Sequence, residues 1–203
     1  NLNIIVISTI FFVTNFSFSI TALAQPSGKV SIGLSAELLK FYPHKADWGF
    51  HTNYSINVFD GLYNSNLKVE LIPGIALSQE VKDNGLTYIF KIRKGVKFHN
   101  GDPLTAEDVK FSYDRARDPD TKCGYASWWR NMDRVEVLDP YTVAVYWKKP
   151  NAAFINQTTQ VVIGPIIPKK YFEKVGDKGF LAHTVGTGYY KFASYTPSQK
   201  LIL

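Results

Sequence analysis

The sequence predicts a mixed α/β fold, in which strands and helices follow one another without the regular strand-helix-strand order of a parallel sheet. Three observations lead to this prediction. Apolar and polar residues alternate over residues 86–93, a helix start with its own capping residues follows at residue 105, and a second alternating pair of segments occupies residues 135–147. The 203 residues are 45% hydrophobic and 15% aromatic, which excludes a disordered chain.

Two short elements are predicted before the main motif. Val30, Ile32 and Leu34 recur at every second position and indicate a strand. Residues 54–63 carry apolar side chains and reach Gly61 near their end, which predicts a short helix with a glycine stop.

A tight hairpin is predicted at residues 83–93. Asn84-Gly85 is typical of a hairpin turn, because both residues tolerate the positive φ that such a turn requires. The strand that follows would bury one face, formed by Leu86, Tyr88, Phe90 and Ile92.

A capped helix is predicted from about residue 106 to residue 116. Thr105 and Asp108 have the spacing of a capping box, and Leu104 and Val109 have the spacing of a hydrophobic staple. Pro119 ends the helix, because proline lacks an amide hydrogen and restricts the residue before it.

The remaining chain continues the mixed pattern. A second hairpin is predicted around the turn signal Asp139-Pro140. Beyond it we expect a helix at 154–160, an extended segment at 163–167, the start of a helix at 170–175 and a loop at 186–192 that leads into a strand.

Two motifs resemble those of the peptide/nickel class of bacterial extracellular solute-binding proteins, family 5, which are the capture subunits of ABC importers. The first motif consists of Gly61-Leu62-Tyr63, then Asn84 to Phe90, Ile92 to His99, Gly101 and Pro103 to Val109. The second, residues 185–192, is similar to the family's Gly-Thr-Gly-Pro segment, with Tyr189 in place of the usual proline. The resemblance covers most of the chain after residue 28.

The resemblance implies a periplasmic-binding-protein-like architecture, with two lobes that close on a ligand. Residues 28–48 and 164–203 would belong to the ligand-facing first lobe, and residues 49–163 would form a smaller subdomain inserted into it. The second lobe would lie beyond residue 203, so we expect this chain to be an N-terminal part of a longer protein.

Residues 1–25 are predicted to be a secretory signal peptide. They carry no charge, and the small residues Ala22-Leu23-Ala24 are typical of a cleavage site near Ala24. A retained membrane span is the alternative, but polar residues interrupt the apolar run, and a span needs about 20 apolar residues. No cysteine lies directly after the cleavage site, so we expect a freely diffusing periplasmic protein rather than a lipoprotein.

The charged residues and histidines of the sequence indicate neither a nucleic-acid-binding surface nor a metal site. The net charge of +6 is scattered, which favours a solvated surface over a nucleic-acid-binding one. The four histidines lack paired spacing, so neither a metal site nor a cofactor is predicted.

Cys123, the only cysteine, is expected to be a buried apolar residue rather than a reactive thiol.

Candidate ligand-binding residues are mainly aromatic, because aromatic side chains provide a large contact area at a small entropic cost. The three tryptophans among them lie in stretches typical of loops, although an ordinary core position is the alternative for each. The resemblance adds residues of the first-lobe loops. The predicted ligand-binding set is Phe41, Tyr42, Trp48, Trp128, Trp129, Thr187, Gly188 and Tyr189.

We therefore expect a monomeric, non-enzymatic subunit that captures short peptides in the periplasm and delivers them to an ABC permease of the inner membrane by lobe closure. A nickel chelate or an oligosaccharide would suit the same family. A secreted hydrolase and a ligand sensor that docks on a receptor are alternatives from other classes. The hydrolase would need a nucleophile with its base, and no such pair is recognisable in the sequence.

Overall fold

The computed structural model describes residues 28, 30–33, 42–45, 50–66, 68, 70–159 and 164–203. The chain divides into two units after Gly33. In the first unit, Val30 and Ile32 are exposed and residues 30–33 form no strand, so the strand predicted there is wrong for these residues. A strand requires a hydrogen-bonded neighbour, and sequence alternation alone does not supply one. Leu34 and the predicted signal peptide lie outside the described residues.

The second unit, residues 34–203, begins with a helix and a small sheet. Helix α1 (Phe50–Val58) starts and ends earlier than the predicted helix at 54–63. Tyr63 belongs instead to strand β1 (Tyr63–Ser65), which pairs antiparallel with β2 (Leu71–Pro73). Gly61 lies between α1 and β1 and faces the carbonyl oxygen of Thr158 so closely that no side chain fits there.

A four-stranded antiparallel sheet forms the centre of this unit. Its strands are β3 (Ala76–Lys82), β4 (Thr87–Ile92), β5 (Met132–Asp139) and β6 (Thr142–Trp147), in the order β3-β4-β6-β5. Both predicted hairpins are confirmed, since β3 pairs with β4 and β5 pairs with β6. At the first turn, Asn84 has φ 54° and Gly85 has φ 86°, as the sequence led us to expect.

Helix α2 (Ala106–Arg117) confirms the predicted capped helix. The backbone N–H of Thr105 donates a 2.9 Å hydrogen bond to the carboxylate of Asp108, which is one half of a capping box. Leu104 and Val109 are both buried, as a hydrophobic staple requires.

The later elements agree with the predictions in type but not in length. Helix α3 (Ala126–Trp129) was not predicted, and α4 (Phe154–Gln157) is shorter than the predicted helix at 154–160. Helix α5 (Lys169–Ala182) confirms the predicted helix start at 170–175, and it resumes after a break at Gly176, whose φ is 65°. Strands β7 (Ser194–Thr196) and β8 (Lys200–Ile202) form a final hairpin.

Two hydrophobic clusters fill the interior. The larger one lies between the sheet and α2 and includes Phe90, Tyr113 and Trp129. The smaller one joins α1 to α5 and includes Tyr42, Tyr54, Phe59, Phe172 and Phe180. Helix α1 therefore shares a hydrophobic core with residues that follow position 164.

Candidate functional site

The glycine loop, residues 184–190, connects α5 to the segment before β7 and rests on the end of α1. The N–H of Gly188 donates to the carbonyl oxygen of Val58 at 3.0 Å, and the N–H of Tyr190 donates to that of Asn57 at 2.9 Å. Helix C-termini leave carbonyl groups without intrahelical partners, so the loop satisfies groups that α1 cannot.

Two glycines allow this close approach. A Cβ atom added to Gly186 would overlap the carbonyl oxygen of Val58, and one added to Gly188 would lie 2.6 Å from the carbonyl oxygen of Asn57. Backbone atoms cannot move aside as the end of a flexible side chain can. The glycines are therefore required by contact between two backbone segments.

His99 holds the same loop from the side of the central sheet. The backbone N–H of His99 donates a hydrogen bond to the carbonyl oxygen of Gly186 at 2.9 Å. The ring atom Nε2 of His99 lies 2.8 Å from the carbonyl oxygen of Gly188. Because a carbonyl oxygen only accepts, Nε2 carries the hydrogen and donates, which leaves Nδ1 to accept the N–H of Gly186 at 3.4 Å. The sequence indicated that His99 lies in a loop but gave no sign of these contacts.

Asp60 provides a third anchor. Thr187 Oγ1 donates a 2.9 Å hydrogen bond to Oδ2 of Asp60, just after α1. The glycine loop is thus held on the end of α1, on His99 and on Asp60, which fixes its backbone.

The anchored loop presents two tyrosines to solvent. Tyr189 is 94% exposed and Tyr190 is 54% exposed. The predicted ligand-binding residues Thr187, Gly188 and Tyr189 therefore lie together on one stiff surface loop.

Trp128 lies at a different surface feature. It is 40% exposed and borders an open depression of about 310 Å³ near the end of β6, and no residue of the glycine loop lines that depression. We call this the Trp128 depression. Its lining includes Ser127, Asn131, Trp147 and Lys149.

Two other predicted ligand-binding residues lie in the core. Trp129 has no exposed surface and packs on Tyr113 and Trp147. Tyr42 also has none, and its hydroxyl accepts a 2.7 Å hydrogen bond from Nε of Arg115. Neither ring offers a surface to a ligand in this structure. Phe41 and Trp48 lie outside the described residues.

Residues 70–203 match the family model described as bacterial extracellular solute-binding proteins, family 5 Middle. The chain belongs to this family. The resemblance stated from the two sequence motifs is therefore confirmed.

Several family 5 relatives are similar over most of the chain. The glutathione-binding protein GsiB of Pectobacterium atrosepticum is 30% identical over 171 residues, which are 83% of this chain and 32% of GsiB. OppA of Haemophilus influenzae, solved in complex with RPPGFSPFR, is 32% identical with a TM-score of 0.74, over 82% of this chain and 36% of OppA. NikZ of Campylobacter jejuni, solved in complex with Ni(L-His), is 26% identical with a TM-score of 0.70, over 79% of this chain and 32% of NikZ.

These comparisons confirm the predicted fold class, a mixed α/β fold of the periplasmic-binding-protein type. The chain spans about a third of the length of the curated relatives that it matches. The relatives reported above are binding proteins by name or by the ligand in their solved complexes, which supports a non-enzymatic role for the family 5 fold in general.

A partly buried polar network surrounds the hydroxyl of Tyr42. Arg115 donates to this hydroxyl, which lies 3.1 Å from Nδ1 of His44, and Arg115 also forms a 2.9 Å salt bridge with Asp177 just after the break in α5. Lys45 pairs with the same carboxylate. Burial, reinforced by the positive charge of Arg115, lowers the pKa of His44 to about 3.

The fold brings Cys123 near His44, which the sequence did not indicate. The N–H of Gly124 donates a 3.2 Å hydrogen bond to the carbonyl oxygen of His44. Burial raises the pKa of the Cys123 thiol, whereas it lowers that of His44. Both groups therefore stay neutral, which is the opposite of the thiolate-imidazolium pair that activates a cysteine nucleophile.

The described residues form neither a cluster of metal ligands nor a membrane-spanning helix. No group of three or more His, Cys, Asp or Glu side chains is placed there to hold a metal ion. No helix in the described part of the chain has the length and apolar character needed to cross a bilayer.

Proposed function

We propose that the full-length protein is the solute-binding subunit of an ABC importer and that it captures short peptides in the periplasm. It would act as a monomer and hand its ligand to the permease of the inner membrane. Membership of family 5 supports the general role, and the peptide complex of OppA together with the glutathione-binding relatives supports a peptide as the ligand. Export through a signal peptide cleaved near Ala24 is part of this proposal.

The exposure of Tyr189 on an anchored loop carries the proposal. An aromatic side chain that is 94% exposed gains nothing from burial within this chain, yet the backbone beneath it is fixed by several hydrogen bonds. A large aromatic surface on a rigid support is suited to binding, because little conformational entropy remains to be lost when a ligand arrives.

The mechanism would be closure of two lobes around the solute. Residues 28–48 and 164–203 would form the ligand-facing part of the first lobe, and residues 49–163 would form its inserted subdomain. A second lobe, beyond residue 203, would close over the glycine loop. Ligand burial then stabilises a closed state that the unliganded protein rarely adopts. No covalent bond is made or broken.

Calorimetry on the full-length protein tests this function. Di-, tri- and nonapeptides are titrated into the wild type and into Tyr189→Ala. We expect at least one peptide class to bind and the variant to lose affinity roughly 5- to 30-fold, which corresponds to about 1–2 kcal/mol, between the cost of an ordinary interface residue and that of a hot spot.

The matched control is Leu138→Ala, which removes an apolar side chain that is 51% exposed at the end of β5, outside the glycine loop. Its affinity should equal that of the wild type. Absence of binding by every peptide class would overturn the proposed ligand, and equal losses in both variants would overturn the role of Tyr189.

A chelated nickel ion is the second candidate, supported by the similarity to NikZ in complex with Ni(L-His). The same titration with a nickel-histidine chelate distinguishes the two. Saturable binding of the chelate without any peptide binding would replace the peptide proposal.

A further inference from the structure

The Trp128 depression has the chemistry of a second binding site. It lies where β6 ends at Trp147 and where the chain continues through Lys149. Its volume of about 310 Å³ is at the lower end of the roughly 300–1,000 Å³ of small-molecule sites, so it would take a small ligand.

The charge of this depression is positive and unbalanced. Lys149 forms no ion pair with another described residue, and none of the described lining residues is acidic. Ser127 and Asn131 add a hydroxyl and an amide that can donate hydrogen bonds. An ammonium group with neutral donors around it favours a carboxylate, because hydrogen bonds to an ionised acceptor are stronger than those between neutral groups.

The aromatic wall provides the apolar half of the site. The ring of Trp128 is 40% exposed and can take a planar group on its face. Trp147 also lines the depression but is only 5% exposed, so Trp128 supplies most of the accessible aromatic surface.

We propose that the Trp128 depression binds small planar carboxylates. The carboxylate pairs with Lys149 and the neighbouring donors, and the planar part of the ligand stacks on Trp128. The site does not depend on the proposed function, because none of its lining residues belongs to the glycine loop or to its anchors His99 and Asp60.

Fluorine NMR on the full-length protein tests this site with 4-fluorobenzoate as the probe and 4-fluorobenzamide as its uncharged counterpart. The two probes share a ring and differ in the negative charge. We expect 4-fluorobenzoate to bind roughly 3- to 10-fold more tightly at low ionic strength, the range for a solvent-exposed charge pair assisted by hydrogen bonds. Lys149→Gln should remove this difference, and Trp128→Ala should weaken both probes.

Two control variants isolate the site. Lys148→Gln removes a neighbouring positive charge outside the lining, and Thr187→Val alters the glycine loop. Both should bind 4-fluorobenzoate like the wild type. Equal affinity for the two probes, no binding of either, or insensitivity to Lys149→Gln would overturn the proposal. Loss of peptide binding in Thr187→Val with unchanged 4-fluorobenzoate binding would separate the two sites.

Discussion

Thr187 Oγ1 donates a 2.9 Å hydrogen bond to Oδ2 of Asp60, a residue 127 positions earlier in the chain. The bond joins the glycine loop to the segment that follows α1. Because the same loop also accepts hydrogen bonds from His99, its backbone is fixed from two sides. The backbone that carries the exposed side chain of Tyr189 is thus held by contacts between three regions that are distant in the sequence: the glycine loop, the segment that follows α1, and His99.

Removal of this bond should loosen the glycine loop. Thr187→Val replaces the hydroxyl with a methyl group of similar size and leaves the half-buried Asp60 carboxylate without this donor. We expect a loss of roughly 0.5–1.5 kcal/mol in the free energy of unfolding, measured by urea denaturation. Thr187→Ser keeps the hydroxyl and should retain most of the stability. A valine variant as stable as the wild type would show that the bond contributes nothing.

Alanine at the loop glycines should be more damaging. In Gly186→Ala and Gly188→Ala the new methyl group meets the backbone at the end of α1, with the Gly188 contact at 2.6 Å from the carbonyl oxygen of Asn57. We expect a destabilisation of roughly 1–3 kcal/mol, or a failure to fold, measured as a lower Tm.

Gly33→Ala is the matched control for the glycine variants. A Cβ atom at Gly33 would meet nothing within 4 Å, and its φ lies outside the left-handed region. Its Tm should therefore stay at the wild-type value. If Gly186→Ala unfolded at the same temperature as Gly33→Ala, the close contact with α1 would be contradicted.

Stability should fall in acid because His44 is buried as a neutral group. Its pKa is about 3 in the folded protein, against 6.5 for an unperturbed histidine, so the unfolded chain binds the extra proton between these values. The free energy of unfolding therefore decreases as the pH falls from about 6.5 towards 3, by at most about 1.4 kcal/mol per pH unit from this group.

Urea denaturation at several pH values in this window measures the effect, and His44→Gln removes the titrating group. Carboxylates also titrate near the lower end of this pH window. The contribution of His44 is therefore the difference between the wild type and the variant in the slope of the unfolding free energy against pH. Parallel slopes for the wild type and the variant would contradict the assignment.

Cys123 should be unreactive in the folded protein. It is 8% exposed, and burial raises the pKa of its thiol, so little thiolate is available to react. We expect a thiol reagent such as dithionitrobenzoate to react slowly under native conditions and fully in denaturant. Rapid stoichiometric reaction with the native protein would contradict the packing of this residue.

The structural features that the sequence predicted correctly depend on interactions between residues close together in the chain. The turn at Asn84 and the capping box of Thr105 and Asp108 depend on residues within a few positions of one another, so the pattern contains the whole interaction. The helix predicted at 54–63 has the wrong bounds, because α1 ends at Val58 and Gly61 is required by its close contact with the backbone of Thr158, a residue far away in the sequence.

The candidate site was predictable only where a motif coincided with it. Thr187 and Tyr189 were found through the second motif, whereas the contacts of His99 with the glycine loop join residues 87 to 89 positions apart and leave no local pattern. Trp129 was expected at a ligand surface because its segment is typical of a loop, and Tyr42 because the family resemblance places it in a first-lobe loop. Each is instead enclosed by aromatic side chains from other elements, which no single segment of sequence reveals.

X-ray scattering in solution tests the central claim most directly, since lobe closure around a peptide must make the full-length protein more compact. We predict that the radius of gyration falls when a peptide identified by calorimetry is added, and that Tyr189→Ala needs more of that peptide to reach the same value. An unchanged radius of gyration at saturating peptide would contradict the account.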